Sequence, residues 1–307
     1  MSGKYVASNI DRERYEVYEI LLRGPEWNLC DPDKETATPI APIDKTDFSC
    51  MLNGEKIRFD LAFIMIHGTP GENGLLQGYF EMMGIPFSTC SSYVSALTFN
   101  KYSCKTFLRD TGIRMPHDIF LRKGDDFSVE RIIHTLGLPL FVKPTTGGSS
   151  FGVTKVGEAS ELADAIEAAF GEGDAILIEE CIKGREMTEG IFTAKGKVIK
   201  LPVTEIVPHN DFFDYEAKYQ GKSDEICPAR ISDEIAERIS DTTGLIYHYF
   251  GCRGLVRADY IVSGEEIYFL ELNTVPGMTQ MSLVPQQVRA AGIDMKEFFN
   301  ALLDEIA

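Results

Sequence analysis

The chain reads as an α/β protein of two to three small domains, and three features of its 307 residues predict that class. An apolar run over residues 61–66 stops at the turn-rich HGTPGENG (67–74), and helical spacing over 75–83 follows, which gives the strand, loop and helix of one α/β unit. A second short strand, 139–144, feeds a loop of glycine and serine (145–152). Near the C-terminus, residues 255–262 and 266–273 alternate apolar and polar side chains with the period of two that a strand requires.

Composition narrows the partners before any motif is considered. Hydrophobic residues at 44% and charged residues at 25% are ordinary for a folded protein and exclude a disordered or fibrous chain. A formal net charge of -17 repels nucleic acid and anionic membrane surfaces, so neither is expected as a partner. Any phosphorylated ligand must then be held by a local group of cations, amides or metal. The seven cysteines are scattered without a C-x-x-C pair and read as free thiols. Free thiols suit a reducing cytosol, and residues 1–14 are polar where a secretory signal would be apolar. No run approaches the ~20 apolar residues of a spanning helix. A cytoplasmic location is expected.

The elements follow in chain order. After an amphipathic opening stretch, residues 25–47 are rich in Pro, Thr and Asp and carry no periodic signal. The 61–66 run is expected to be a buried strand, and the 75–83 helix places Leu76, Phe80 and Met83 on one face. Residues 139–144 and 153–156 form a hairpin around the 145–152 tip. A helix over 160–170, capped by Ser160, turns Leu162, Ile166 and Ala169 or Phe170 inward, and a strand over 175–180 comes next. The aromatic and charged stretch 212–219 suits either a water-excluding lid or a surface loop pinned by its rings. In the last pair of strands, Arg257 and Asp259 share one face, and so do Glu271 and Asn273, with Leu270 and Leu272 opposite.

Polar residues on one face of apolar strands need partners. Asp259, Glu271 and Asn273 are hard oxygen ligands of the kind that bind Mg²⁺ alongside substrate phosphates, or they occupy solvated edge-strand positions. Arg257 either neutralises a transferring phosphoryl group or pairs with Asp259. The 145–152 loop can fold backbone N–H groups over phosphates or is simply a hairpin tip, and it lacks the Lys-Ser or Lys-Thr of a P-loop. Lys143, at the end of the strand before it, must reach something polar or snorkel into water. His67, His209 and His248 have no metal-ligand spacing and suit structural hydrogen bonds.

Read in order, HGTPGENG (67–74), LFVKPTTGGSSFG (140–152), DYEAKY (214–219), LELNTVPGM (270–278) and SLVP (282–285) resemble the D-alanine–D-alanine ligases of the ATP-grasp superfamily. The likeness covers nearly the whole chain. It implies an α/β ATP-grasp fold with a truncated Rossmann-like N-terminal domain. The expected domains are an N-terminal α/β domain (1–88), a central ATP-grasp domain (89–180) and a C-terminal ATP-grasp domain (181–307), with ATP between the last two.

By that resemblance, Lys101, Lys143 and Lys218 contact ATP phosphates, while Glu179, Glu180, Ile182 and Glu186 hold adenine and ribose. Asp259, Glu271 and Asn273 carry two Mg²⁺ or Mn²⁺ ions. His67, Glu72, Ser149, Tyr219, Ser282 and Leu283 line the pocket for two D-alanine molecules, and Arg257 with the N–H of Gly277 forms the oxyanion site. The implied reaction activates one D-alanine as an acyl phosphate for attack by the amine of the second, for peptidoglycan precursor synthesis, and a homodimer is expected with it.

Two departures stand out. Members of the family begin with an apolar strand and a Gly-Gly-x-Ser-x-Glu loop whose acid holds the first substrate's ammonium, whereas MSGKYVASN (1–9) starts on the following helix. A form extended at its N-terminus is expected to be more stable. Asn73 stands where an acid is common, with Glu72 retained. The alternatives are a ligase with a D-lactate-type acceptor, which Tyr219 disfavours, and a catalytically weak ATP-binding protein.

Overall fold

The computed structural model describes residues 2–34, 36–148, 151–208 and 223–306. The opening stretch is helix α1 (Ser2–Asn9), whose Val6 and Ala7 turn inward. Residues 25–47, without periodic signal, supply the second and third strands of a five-stranded antiparallel meander. Its strands are β1 (Ile20–Arg23), β2 (Glu26–Cys30), β3 (Pro39–Asp44), β4 (Ser49–Leu52) and β5 (Glu55–Arg58), each beside the next. Leu29, Ala41, Ile43 and Cys50 face inward with Phe48 and meet Leu76 and Phe80 of α2 (Leu75–Met83). The Phe48 and Phe80 rings pack edge to face at 4.9 Å.

The 61–66 run packs on both sides, with Ile64 buried and the other residues half-buried, and it is not the ladder strand expected. Its pairing is a single parallel bridge, Ala62 to Phe87, with the Ala62 N–H donating to Pro86 O at 2.9 Å. The alternation is nonetheless kept. Ala62, Ile64 and Ile66 join the meander's core, while Leu61, Phe63 and Met65 pack against the C-terminal helices. One extended segment therefore joins two cores without a full set of sheet neighbours.

Next come α3 (Ser92–Phe99), α4 (Lys101–Leu108), β6 (Asp118–Arg122), α5 (Val129–Leu136), β7 (Leu140–Pro144), β8 (Thr154–Val156), α6 (Leu162–Gly171) and β9 (Ala175–Glu180). The strands form an antiparallel sheet in the order β6-β9-β7-β8, with the expected β7–β8 hairpin in the register Leu140 to Val156. Ser160 does not cap α6. A 3₁₀ turn over Ala159–Glu161 precedes that helix, and a reciprocal box between Glu158 and Glu161 takes up the free N–H groups. Leu162, Ile166 and Ala169 are buried as read.

The last sheet holds β10 (Arg185–Ala194), β11 (Lys197–Lys200), β12 (Thr204–Pro208), β13 (Ser223–Ile226) and then, after α7 (Asp233–Phe250), β14 (Val256–Ser263) and β15 (Glu266–Asn273). Helices α8 (Leu283–Ala290) and α9 (Met295–Asp304) end the chain. Strand order is β13-β12-β10-β14-β15, with β11 paired to β10. Val256, Ala258, Tyr260 and Val262 face the core that includes Ile239, Ile246 and Tyr247 of α7. Phe192 faces Val284, Val288 and Phe298 on the other side. Arg257 and Asp259 necessarily lie on that second side, so the polar face opens where α8 begins.

A β-bulge between Asp259 and Tyr260 alters one predicted face. Asp259 pairs with Glu271, but Tyr260 pairs with Phe269, so Leu270 is the extra residue. Phe269 is fully buried and Leu272 is buried, while Leu270 is half-buried outside that core. The bulge keeps Phe269 inside and still leaves Glu271 and Asn273 beside Asp259.

Candidate active site

Strand pairing alone brings four of the expected residues together. Asp259 lies opposite Glu271, and Arg257 opposite Asn273. Arg257 donates Nε to Asp259 Oδ1 at 2.8 Å and Nη2 to Oδ2 at 2.7 Å, while Asn273 Nδ2 donates to the same Oδ2 at 3.0 Å. On the other flank Thr188 of β10 donates its hydroxyl to Asp259 Oδ1 at 2.6 Å. Asp259 is thus fixed from both neighbouring strands. Burial opposes the charge on Arg257, yet Asp259, aided by Glu271 and Glu72, holds the guanidinium well above its ordinary pKa. The pairing of Arg257 with Asp259 is the simpler of the two roles read from the sequence.

The loop HGTPGENG closes onto this face from the N-terminal side. His67 donates Nδ1–H to Val275 O at 2.8 Å, which ties the loop to the segment after β15. Glu72 Oε2 accepts the Gly68 N–H at 2.6 Å. Burial pushes the Glu72 carboxyl up, against the pull of His67 and Arg257, and Glu271 adds to the rise. Gly71 makes the turn possible, since a Cβ there would come within 2.0 Å of Ile66 O.

Lys101 and Lys143 both adjoin the 145–148 loop, Lys101 from α4 and Lys143 from the end of β7. Lys101, the first residue of α4, donates Nζ to Gly147 O at 2.9 Å and lies 3.9 Å from Glu271 Oε2; its N–H donates to Thr145 O at 2.8 Å. Lys143 pairs with Glu179 Oε2. The other oxygen of Glu179 accepts from Lys105 Nζ at 2.7 Å, and Lys105 also donates to Pro116 O at 2.7 Å and lies 3.2 Å from Asp118. Burial would push Glu179 up, but Lys143 and Lys105 outweigh it and hold the carboxyl below the usual range. Glu180 accepts the His117 N–H at 2.7 Å. Ile182 and Glu186 are half-buried along the entry into β10.

Beyond β15 the chain passes Gly277, where a Cβ would sit 3.1 Å from Ser282 Oγ. Ser282 precedes α8, and its Oγ accepts the Thr279 N–H at 2.9 Å; Leu283 opens the helix, half-buried. Ser149, Lys218 and Tyr219, with the whole 212–219 stretch, lie outside the described residues. The sequence reading passed over Thr188, Lys105 and Glu225. Glu225 on β13 accepts from Gln286 of α8 and is pushed up by burial, with Arg257 pulling the other way. The one signal for Lys105 was its place one helical turn after Lys101.

The donor set suits a hard divalent cation. Two carboxylates and an amide oxygen are presented by adjacent strands, with Asp259 prefixed by Thr188 and Arg257. Among the described residues no group of three or more His, Cys, Asp or Glu side chains forms a metal cluster, so phosphate oxygens and water would complete the shell. No helix among the described residues is long and apolar enough to cross a membrane.

Comparison with known proteins agrees with this geometry. Residues 1–90 match the family described as D-ala D-ala ligase N-terminus, and residues 107–304 the D-ala D-ala ligase C-terminus. A D-alanine–D-alanine ligase of Phocaeicola vulgatus is 49% identical over 304 residues, covering 99% of this chain and 93% of that protein. The crystal structure of VanG D-Ala:D-Ser ligase from Enterococcus faecalis superposes with a TM-score of 0.89 at 32% identity, covering 100% and 94% of the two chains. That of D-alanine–D-alanine ligase from Bacillus anthracis complexed with ATP gives 0.78 at 29% identity, over 99% and 90%. With its ATP-grasp fold, the chain belongs to the D-alanine–D-alanine ligase family.

Proposed function

We propose that this chain joins two D-alanine molecules into D-alanyl-D-alanine, consuming ATP, as a step in peptidoglycan precursor synthesis in the cytoplasm. The observation that carries the reading is Lys101, which spans from the 145–148 loop to Glu271 and so puts a phosphate-type loop beside the Asp259, Glu271 and Asn273 face. Nucleotide phosphates belong between them, and adenine belongs near Glu180 and Ile182. Asp259, Glu271 and Asn273 would hold two Mg²⁺ or Mn²⁺ ions, which when bound neutralise phosphate charge.

The chemistry follows from the substrates. A carboxylate is a poor electrophile, so the γ-phosphoryl group passes from ATP to the carboxylate of the first D-alanine, breaking the bond to ADP and leaving an acyl phosphate. The amine of the second D-alanine attacks that carbonyl, and phosphate leaves with the acyl C–O electrons. Arg257 and the Gly277 N–H are assigned to the oxygen that gains charge in the attack. Glu72 and His67 are assigned to the ammonium end of the first substrate, and Ser282 and Leu283 to the second. Ser149, Lys218 and Tyr219 complete this assignment by family likeness alone.

Acceptor choice is the sharpest test. Incubation with ATP, Mg²⁺ and equal amounts of D-alanine, D-serine and D-lactate, with products separated by mass, should give D-alanyl-D-alanine as the main product. A predominance of the mixed D-alanyl-D-serine or the D-lactate ester would reject D-alanine as the acceptor.

A further inference from the structure

We propose that Lys105 is a positioning residue for the nucleotide phosphates, acting through Glu179 on Lys143. This rests on the reading of Lys143 as a phosphate ligand. Lys105 itself is 2% exposed on the buried face of α4 with Cys104 and Leu108, and cannot reach a ligand. A lysine is rarely left there unless its charge is used. Its ammonium has three acceptors, Pro116 O, Glu179 Oε1 and Asp118 Oδ1, so its hydrogen-bonding capacity is filled.

The charges form a short chain. Arg109 lies 3.8 Å from Asp118, Lys105 stands between Asp118 and Glu179, and Lys143 takes the far oxygen of Glu179. Three cations therefore face two carboxylates, which leaves one positive charge over. Counting Arg109 with Asp118 and Lys105 with Glu179 leaves Lys143 as the cation over, and its side chain is 13% exposed next to the 145–148 loop, while Glu179 is 5% exposed. Without Lys105, Lys143 would be spent on Glu179, and a phosphate arriving at the loop would meet a neutral group. Geometry adds to charge. Lys105 pins Glu179 through one oxygen, so the other oxygen holds the Lys143 ammonium at a fixed place on β7. Since Lys101 and Lys105 lie four residues apart on α4, one helix sets both phosphate-facing lysines.

The test is a double-mutant cycle on ATP affinity, measured by calorimetry on the full chain with Lys105→Met, Lys143→Met and the double variant, each checked for folding by its melting curve. Lys105→Met should weaken ATP by about fivefold or more, as expected for a charge lost from a desolvated network. In the Lys143→Met background the same change should have almost no effect. Equal losses in both backgrounds, or unchanged affinity in a folded Lys105→Met, would overturn the proposal. Should Lys105→Met not fold, Asp118→Asn decides, because removing a carboxylate enlarges the surplus and should tighten ATP about twofold, whereas a purely structural role gives weaker or unchanged binding. If Lys143→Met alone leaves ATP affinity unchanged, the nucleotide reading falls and this inference with it. Loss on Lys143→Met without loss on Lys105→Met rejects the inference alone.

Discussion

Asn273 donates its side-chain amide to Asp259 across β14 and β15 at 3.0 Å, on the face where Asp259 already receives two bonds from Arg257. The two acids of the face are therefore unequal. Glu271 is half-buried and acts on Arg257 only at longer range, whereas Asp259 is the direct counter-ion of a guanidinium only 15% exposed. Glu271→Gln should lower D-alanine-dependent phosphate release by roughly 100-fold or more with a melting temperature near that of the parent. Asp259→Asn should cost activity and also about 3 kcal/mol of stability, because it strands Arg257. Calorimetric melting alongside the assay separates the two.

Lys101 joins the 145–148 loop to α4 through Gly147 O and also faces Glu271. Lys101→Ala should raise the KM for ATP about tenfold, the scale of a lost charge-assisted contact, and change the KM for D-alanine much less. Initial rates at varied ATP and at varied D-alanine check this split.

Glu189 gives a pH dependence of definite sign. It is 1% exposed under α7, its Oε2 has no hydrogen-bond partner among the described residues, and burial lifts its pKa to about 7, against Thr243, Ser240 and Lys200 and with Asp241. A carboxyl whose folded pKa is raised stabilises the fold while protonated, so stability is full below the unfolded value near 4.5 and falls as pH rises toward 7. The loss should be about 3 kcal/mol across that window. Glu189→Gln should remove this part of the slope and unfold at higher urea than the parent at pH 8. Glu205 works in the other direction: Arg185 and Arg230 outweigh burial and lower it to about 2, so its contribution disappears only in acid.

Gly71 is required by the backbone and not by any ligand. Because its Cβ would lie 2.0 Å from Ile66 O and 2.6 Å from Ile66 Cβ, Gly71→Ala must displace the loop that carries Glu72. A loss of about 3 kcal/mol or more is expected, typical of a backbone clash at a constrained position. Urea unfolding of the variant measures it.

What the sequence made legible was local. The 266–273 strand, the 75–83 helix and the 175–180 strand match β15, α2 and β9 because their apolar period and punctuation lie within one segment. The face of Asp259, Glu271 and Asn273 was likewise visible in the alternation of two strands. The meander was not, because strands of four to six residues separated by turns carry little periodic signal and are defined by partners elsewhere in the chain. The bulge at Leu270 depends on which neighbour Tyr260 finds, and Lys105 has meaning only once Glu179 of a distant strand lies above it.

The central claim is tested most directly by phosphate release from ATP and Mg²⁺ with D-alanine, with L-alanine and with no amino acid. D-alanine alone should stimulate release, and a chelator should abolish it. Equal release in all three reactions, or ATP binding with no D-alanine-dependent turnover, would contradict the account.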